Sequence, residues 1–142
     1  MFTVAESVTI DRPVDEVFAF FTEGRARWDE SVISEELTSP PPVGVGSTLH
    51  TRMRAVGREF AFDWRVTGYE PGTRMAITST SGVMATSSEL TFADANGATL
   101  VRVRIEAEPT GVMRLAQAMI AGEVRSTLTA SLAKAKRVLE QG

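Results

Sequence analysis

The segment Thr110–Gln141, TGVMRLAQAMIAGEVRSTLTASLAKAKRVLEQ, decides the fold. At about 100° per residue, Met113, Ala116, Gln117, Ile120, Val124, Leu128, Ser131, Ala135 and Val138 fall along one stripe, which predicts one long amphipathic helix. Such a helix must lay its apolar face on something, and a run of strand-like segments is the only large partner the chain offers. The helix is therefore expected to cover one face of a curved antiparallel sheet, an arrangement that encloses a cavity.

The preceding residues supply that sheet. Phe2, Val4, Val8 and Ile10 share one parity, as a half-buried strand requires. Pro13 suits the first turn of a helix, Asp15 and Glu16 suit its positive end, and Val14, Val17, Phe18 and Phe21 follow the i, i+3, i+4, i+7 spacing. This predicts a short helix over Pro13–Thr22, stopped near Gly24, with Arg25–Glu30 as a second short helix carrying Trp28. Ser31–Thr38 reads as a strand ahead of Ser39-Pro40-Pro41-Pro42, which cannot lie inside a sheet. From Ser47 the period is two: Leu49, Thr51 and Met53 oppose His50, Arg52 and Arg54, and Phe60, Phe62, Trp64 and Val66 oppose Glu59, Ala61, Asp63 and Arg65. Gly57, Glu70-Pro71-Gly72, Ser81-Gly82 and Asp94-Ala95-Asn96-Gly97 mark the turns around strands at Met75–Ser79, Met84–Phe92 and Val101–Ile105. The order is strand, two short helices, six strands and a long helix, which is α+β and fits one domain over residues 1–142.

Composition narrows the function classes. A net charge of −3 lacks the clustered Lys and Arg that phosphate backbones demand, so no nucleic-acid partner is expected. Zero cysteines exclude disulfides and thiolate metal sites, and a single histidine, His50, leaves no basis for a multi-histidine metal centre or a histidine-centred triad. No cofactor or metal is expected. The opening MFTVAESVTI does not read as a signal peptide, and no apolar run reaches the ~20 residues of a membrane span, so the expectation is a cytoplasmic protein without membrane insertion.

The first strand ending in Ile10, the run Arg12-Pro13-Val14-Asp15-Glu16-Val17-Phe18 and the following Trp28 resemble the opening of the polyketide cyclase/dehydrase and START-like superfamily. Val43-Gly44-Val45-Gly46, Val66-Thr67-Gly68-Tyr69-Glu70-Pro71-Gly72-Thr73-Arg74 and Leu132–Glu140 are similar to later landmarks of the same superfamily. The resemblance implies a helix-grip fold, in which a seven-stranded curved antiparallel sheet wraps the C-terminal helix around a deep apolar cavity. It does not fix an activity, because lipid carriers, hormone-binding proteins and aromatic cyclases share this fold.

Strand parity and the helix stripe together nominate a ligand surface: Trp28, Met53, Phe62, Trp64, Met75, Met84, Met113, Gln117 and Ile120. Methionines suit surfaces that adapt to varied apolar ligands, and tryptophans combine apolar area with a donor. Packing alone also explains the aromatic residues, and Trp28 in particular reads equally well as an anchor for the short helices. Gln117 is the anomaly of the stripe, since a buried amide without a partner costs about 1–3 kcal/mol. Leu115 and Met119 lie off the stripe, where a loop near Pro40–Pro42 or a second copy could cover them.

The expected function is binding of a small hydrophobic molecule, lipid-like or aromatic and polyketide-like, by a monomer or homodimer. No catalytic residue is assigned. An aromatase/cyclase or dehydratase would need Asp63, Arg65, Tyr69 or Gln117 inside the cavity, whereas strand parity turns the charged positions outward. A stress- or chaperone-linked interaction module is the third reading.

Overall fold

The computed structural model describes residues 1–141. Strand β1 (Phe2–Ile10) leads through helix α1 (Val14–Thr22) to β2 (Val32–Leu37), β3 (Thr48–Ala55), β4 (Arg58–Glu70), β5 (Arg74–Ser81), β6 (Ala85–Ala95) and β7 (Ala98–Glu108), and helix α2 (Gln117–Gln141) is the last element of the described residues. The seven strands form one sheet in the order β1-β7-β6-β5-β4-β3-β2, every pair antiparallel. The β3–β4 and β6–β7 hairpins close on Val56-Gly57 and Asn96-Gly97, with positive φ at both central residues of each turn, the backbone twist that tight hairpins favour. Register shifts in the β2–β3 and β4–β5 pairings bend the sheet at three places. This is the helix-grip architecture anticipated above.

Two expectations about helices need correction. Arg25–Arg27 forms a single 3₁₀ turn rather than a helix to Glu30, and Trp28 stands just beyond it. The C-terminal segment is not one helix from Thr110: Gly111–Ala116 is 3₁₀, beginning at a glycine with φ of 59°, and α-helix starts only at Gln117. None of Gly111–Ala116 is buried, so no packing surface holds that stretch in α geometry against its apolar periodicity.

The buried stripe of α2 is also rotated from its predicted course. Leu128, Ser131, Leu132, Ala135 and Leu139 are buried, whereas Val138 is 45% exposed. The rotation follows from where α2 rests. Its main partner is β1 at the sheet edge, fixed there by Arg125 Nη1 to Glu6 Oε1 at 3.0 Å and Lys136 Nζ to the Thr9 carbonyl at 2.6 Å. The core divides accordingly. One cluster gathers Phe18, Phe21, Trp28, Phe92 and Leu132 beneath α1 and α2, and a second gathers Phe62, Trp64, Val66, Met75 and Ile77 on β4 and β5.

Candidate functional site

Between these clusters, where α2 leaves the far side of the sheet uncovered, lies a cavity of about 170 Å³. One water needs roughly 10–15 Å³ of such space, so the cavity is far larger than a packing defect. Its wall on the sheet is Met53, Phe60, Phe62 and Trp64; the β3–β4 turn adds Val56 and the β5–β6 turn Val83 and Met84; the C-terminal segment supplies Met113, Ile120, Val124 and Leu128. A second chamber of about 40 Å³ sits among Phe21, Trp28, Leu49, Met75, Ile77 and Leu90. Arg25, Asp29, Ser88, Ile105 and Leu128 border both.

The structure brings most of the nominated residues together. Met53, Phe62, Trp64, Met84, Met113 and Ile120 line the larger chamber, and Trp28 and Met75 the smaller. Phe62 and Trp64 stack with centroids 5.2 Å apart. Gly82 is where the Phe62 ring crosses the backbone: a Cβ there would collide with the ring, and φ of 151° disfavours any side chain. Gly82→Ala is expected to cost about 1–3 kcal/mol by overpacking and to displace Phe62 into the cavity. A urea melt, with Trp64 fluorescence followed in the folded baseline, checks both effects.

Gln117 is not among the lining residues. Its Nε2 donates to the Met1 carbonyl and its Oε1 accepts from the Met1 ammonium, each at 3.3 Å, so the expected anomaly on a buried stripe is an exposed clasp on the start of β1. The late start of α2 explains the shift, because Gln117 opens the helix rather than sitting about two turns inside it. Trp28 is 2% exposed, and its Nε1 donates to the Phe21 carbonyl at 3.1 Å, the arrangement of an anchor. Tyr69 packs edge-on against Phe18 and touches both core clusters. Leu115 is 92% exposed and Met119 is exposed too, so the Pro40–Pro42 loop does not cover them.

Arg52, Glu59, Asp63 and Arg65 face out, as their parity predicts, whereas Arg54, turned outward by the same parity, borders the larger chamber. Asp63 accepts from Ser81 Oγ at 2.6 Å and lies 2.7 Å from His50 Nδ1 on the solvent face. The Ser81 hydroxyl first, and His50 second, hold its carboxyl below the ordinary aspartate range. A depressed carboxyl adds stability that is present above its unfolded-chain value and is lost as pH falls through the lower folded one. Asp63→Asn is therefore expected to be slightly less stable than the parent protein at neutral pH. That gap should close on acidification, as read from urea midpoints across the acid range.

One polar group inside the cavity was not anticipated. In β2, Val32 pairs with Met53 and Ser34 with Arg52, so Ile33 is bulged out and the parity of the strand resets. Glu35 thereby faces inward opposite Thr51. Arg25, at the start of the 3₁₀ turn, donates from Nε to Glu35 Oε2 at 2.7 Å, and Thr51 Oγ1 donates to the same oxygen at 2.7 Å. The two charged side chains are only 13% and 10% exposed. The Arg25 guanidinium also lies 5.4 Å from the Trp64 ring centroid. Trp64 Nε1 is a buried donor with no partner among the described residues. Nearby, Asp29 Oδ1 accepts from the Ser31 amide and hydroxyl. The result is an apolar cavity with a polar end at Arg25, Asp29 and Glu35, and with Arg54 and Glu123 also on the border of the larger chamber.

Residues 1–140 match the family described as polyketide cyclase/dehydrase and lipid transport. The chain belongs to this family. Among curated proteins no sequence matches significantly. Solved structures with the same fold include the ZhuI aromatase/cyclase from Streptomyces sp. R1128, at 15% identity and a TM-score of 0.78, covering 99% of this chain and 94% of that one. A START superfamily protein from Mycobacterium smegmatis aligns at 17% identity with a TM-score of 0.77, covering 98% and 97%. A Deinococcus radiodurans protein aligns at 22% identity with a TM-score of 0.72, covering 96% and 95%. At these identities the likeness is one of fold. No helix among the described residues is long and apolar enough to cross a membrane.

Proposed function

We propose that this family member binds a small hydrophobic molecule, lipid-like or aromatic, in the cavity between the sheet and α2. The observation that carries the reading is the lining itself: Met53, Phe60, Phe62, Trp64, Met84, Met113 and Ile120 converge on one space with few polar groups. Ligand sites are typically concave and apolar with a small number of placed polar groups. At about 170 Å³ the cavity is below the roughly 300–1,000 Å³ of drug-sized sites, so compact ligands of one or two rings, or a short acyl chain, suit it.

Titration with one- and two-ring aromatic compounds tests this. Binding is expected to change the emission of Trp64 and to raise the melting temperature in proportion to the logarithm of ligand concentration once the sites are saturated. Trp64→Ala should weaken binding about tenfold or more, since truncating a buried aromatic removes about 1.5–3 kcal/mol of apolar contact. No saturable change with any compound, and none co-purifying in native mass spectra, would sink the reading.

A cyclase or dehydratase is the second reading. Asp63 and Arg65, the strand charges that would have served it, lie outside the cavity, and so does Gln117. What favours it instead is the polar end formed by Arg25, Asp29 and Glu35, which gives an enclosed substrate groups able to orient a carbonyl. Turnover of a poly-β-ketone thioester by the parent protein that is abolished in a folded Arg25→Met, Glu35→Met variant would move it to first place.

A further inference from the structure

We propose that the ligand carries a neutral hydroxyl head, an alcohol or a phenol, seated at Arg25 where the two chambers meet. This rests on the ligand-binding reading above and deepens it.

The polar end has a defined balance of donors and acceptors. Arg25 borders both chambers, and its hydrogen bonds to described residues leave from Nε, to Glu35 at 2.7 Å, and from Nη2, to Thr51 at 3.4 Å. Both Nη1 hydrogens have no partner among the described residues. A guanidinium carries five N–H donors, so the free ones must meet water or a ligand. A wholly apolar ligand that displaced the water would strand them, at the cost of an unmade charged hydrogen bond.

An anionic head is disfavoured by the same residues. The Arg25 charge is already opposed by Glu35, and Asp29 also borders both chambers. One guanidinium against two carboxylates leaves the polar end with a formal charge of −1, and a third carboxylate there would be repelled in a setting that water screens poorly. A hydroxyl fits both halves of the site. It accepts from Arg25 and donates to a carboxylate, without adding charge. Asp29 has Oδ2 free for this role, because Oδ1 alone takes the Ser31 bonds.

The test is a calorimetric series at neutral pH in which one apolar body carries different heads: naphthalene, 2-naphthol and 2-naphthoate. The expected order places 2-naphthol at least tenfold tighter than either of the others. Because Arg25→Met alone strands Glu35, the informative variant is Arg25→Met with Glu35→Met, its folding confirmed by a cooperative melt. In it the preference for 2-naphthol over naphthalene should shrink below about twofold while naphthalene still binds. Asp29→Asn, which keeps Oδ1 for Ser31, should strengthen 2-naphthoate relative to 2-naphthol. Tighter binding of 2-naphthoate than of 2-naphthol by the parent protein would overturn the inference, and so would a hydroxyl preference that survives in the double variant. If all three bind equally well, the head-group inference fails and the cavity reading stands; if none binds, the cavity reading itself fails.

Discussion

Trp28→Ala is expected to be the most destabilising single substitution among the nominated site residues, by about 3–5 kcal/mol. The side chain is almost wholly buried, its ring lies 4.6 Å from that of Phe21, and its Nε1 holds the Phe21 carbonyl. Truncation empties the space beneath α1 and leaves a buried carbonyl unpaired. For a domain of this size each kcal/mol moves the melting temperature by roughly 2–5 °C, so a loss of about 10 °C or more, or failure to fold, is the expected readout. Trp28→Phe separates the two contributions. It refills most of the volume and removes only the donor, and should cost about 1–3 kcal/mol. Binding of compact aromatic compounds in Trp28→Phe should stay within about twofold of the parent protein, because the larger chamber is built from other residues. A large loss of affinity without a loss of stability would make Trp28 a ligand contact rather than an anchor.

What made Trp28 readable only in part illustrates where the sequence carries structural information. Periodicity located most of the strands, because alternation such as Phe60, Phe62, Trp64 and Val66 against Glu59, Ala61, Asp63 and Arg65 has one low-energy solution when a single face is buried. It also placed most of the cavity wall, since parity and inward direction are the same fact. The helix start was not legible in the same way. Apolar spacing continues smoothly through Met113, Ala116 and Ile120, yet none of Gly111–Ala116 is buried and those six residues are 3₁₀. Periodicity reports what a helix would bury, and tertiary contact decides whether anything is there to bury it against. Gln117 moved from a buried stripe to an exposed clasp for this reason alone.

The polar end was hidden by a different cause. In Val32-Ile33-Ser34-Glu35-Glu36-Leu37 no single parity is apolar throughout, a sign that the strand does not keep one register. The bulge at Ile33 resolves it by turning Val32, Glu35 and Leu37 to the same face. Arg25 has no signal of its own, because it lies in a turn whose direction only the packing of Trp28 determines. A break in alternation with a charge on each possible face is therefore the one sequence feature that pointed here to a buried ion pair.

That pair supports a second strong prediction. Arg25→Met should destabilise the protein by about 2–4 kcal/mol, somewhat below the cost of stranding a charge in a fully enclosed core, because the neighbouring cavity can admit water. Glu35→Met should cost a similar amount, with Arg25 then left without its partner beside the Trp64 ring. Joined in one chain the two substitutions are expected to cost much less than their sum, since replacing a buried pair with apolar side chains of similar volume is often close to neutral. Urea melts of the four proteins give the coupling directly, and a value above about 1.5 kcal/mol is the expected result. Additive losses would mean that each side chain is held independently, Arg25 by Trp64 and Glu35 by Thr51. The near-neutral double substitution has a further meaning. If stability does not require the pair, the charges serve the space they border, and a polar end that the fold can do without is best understood as a feature of what the cavity holds.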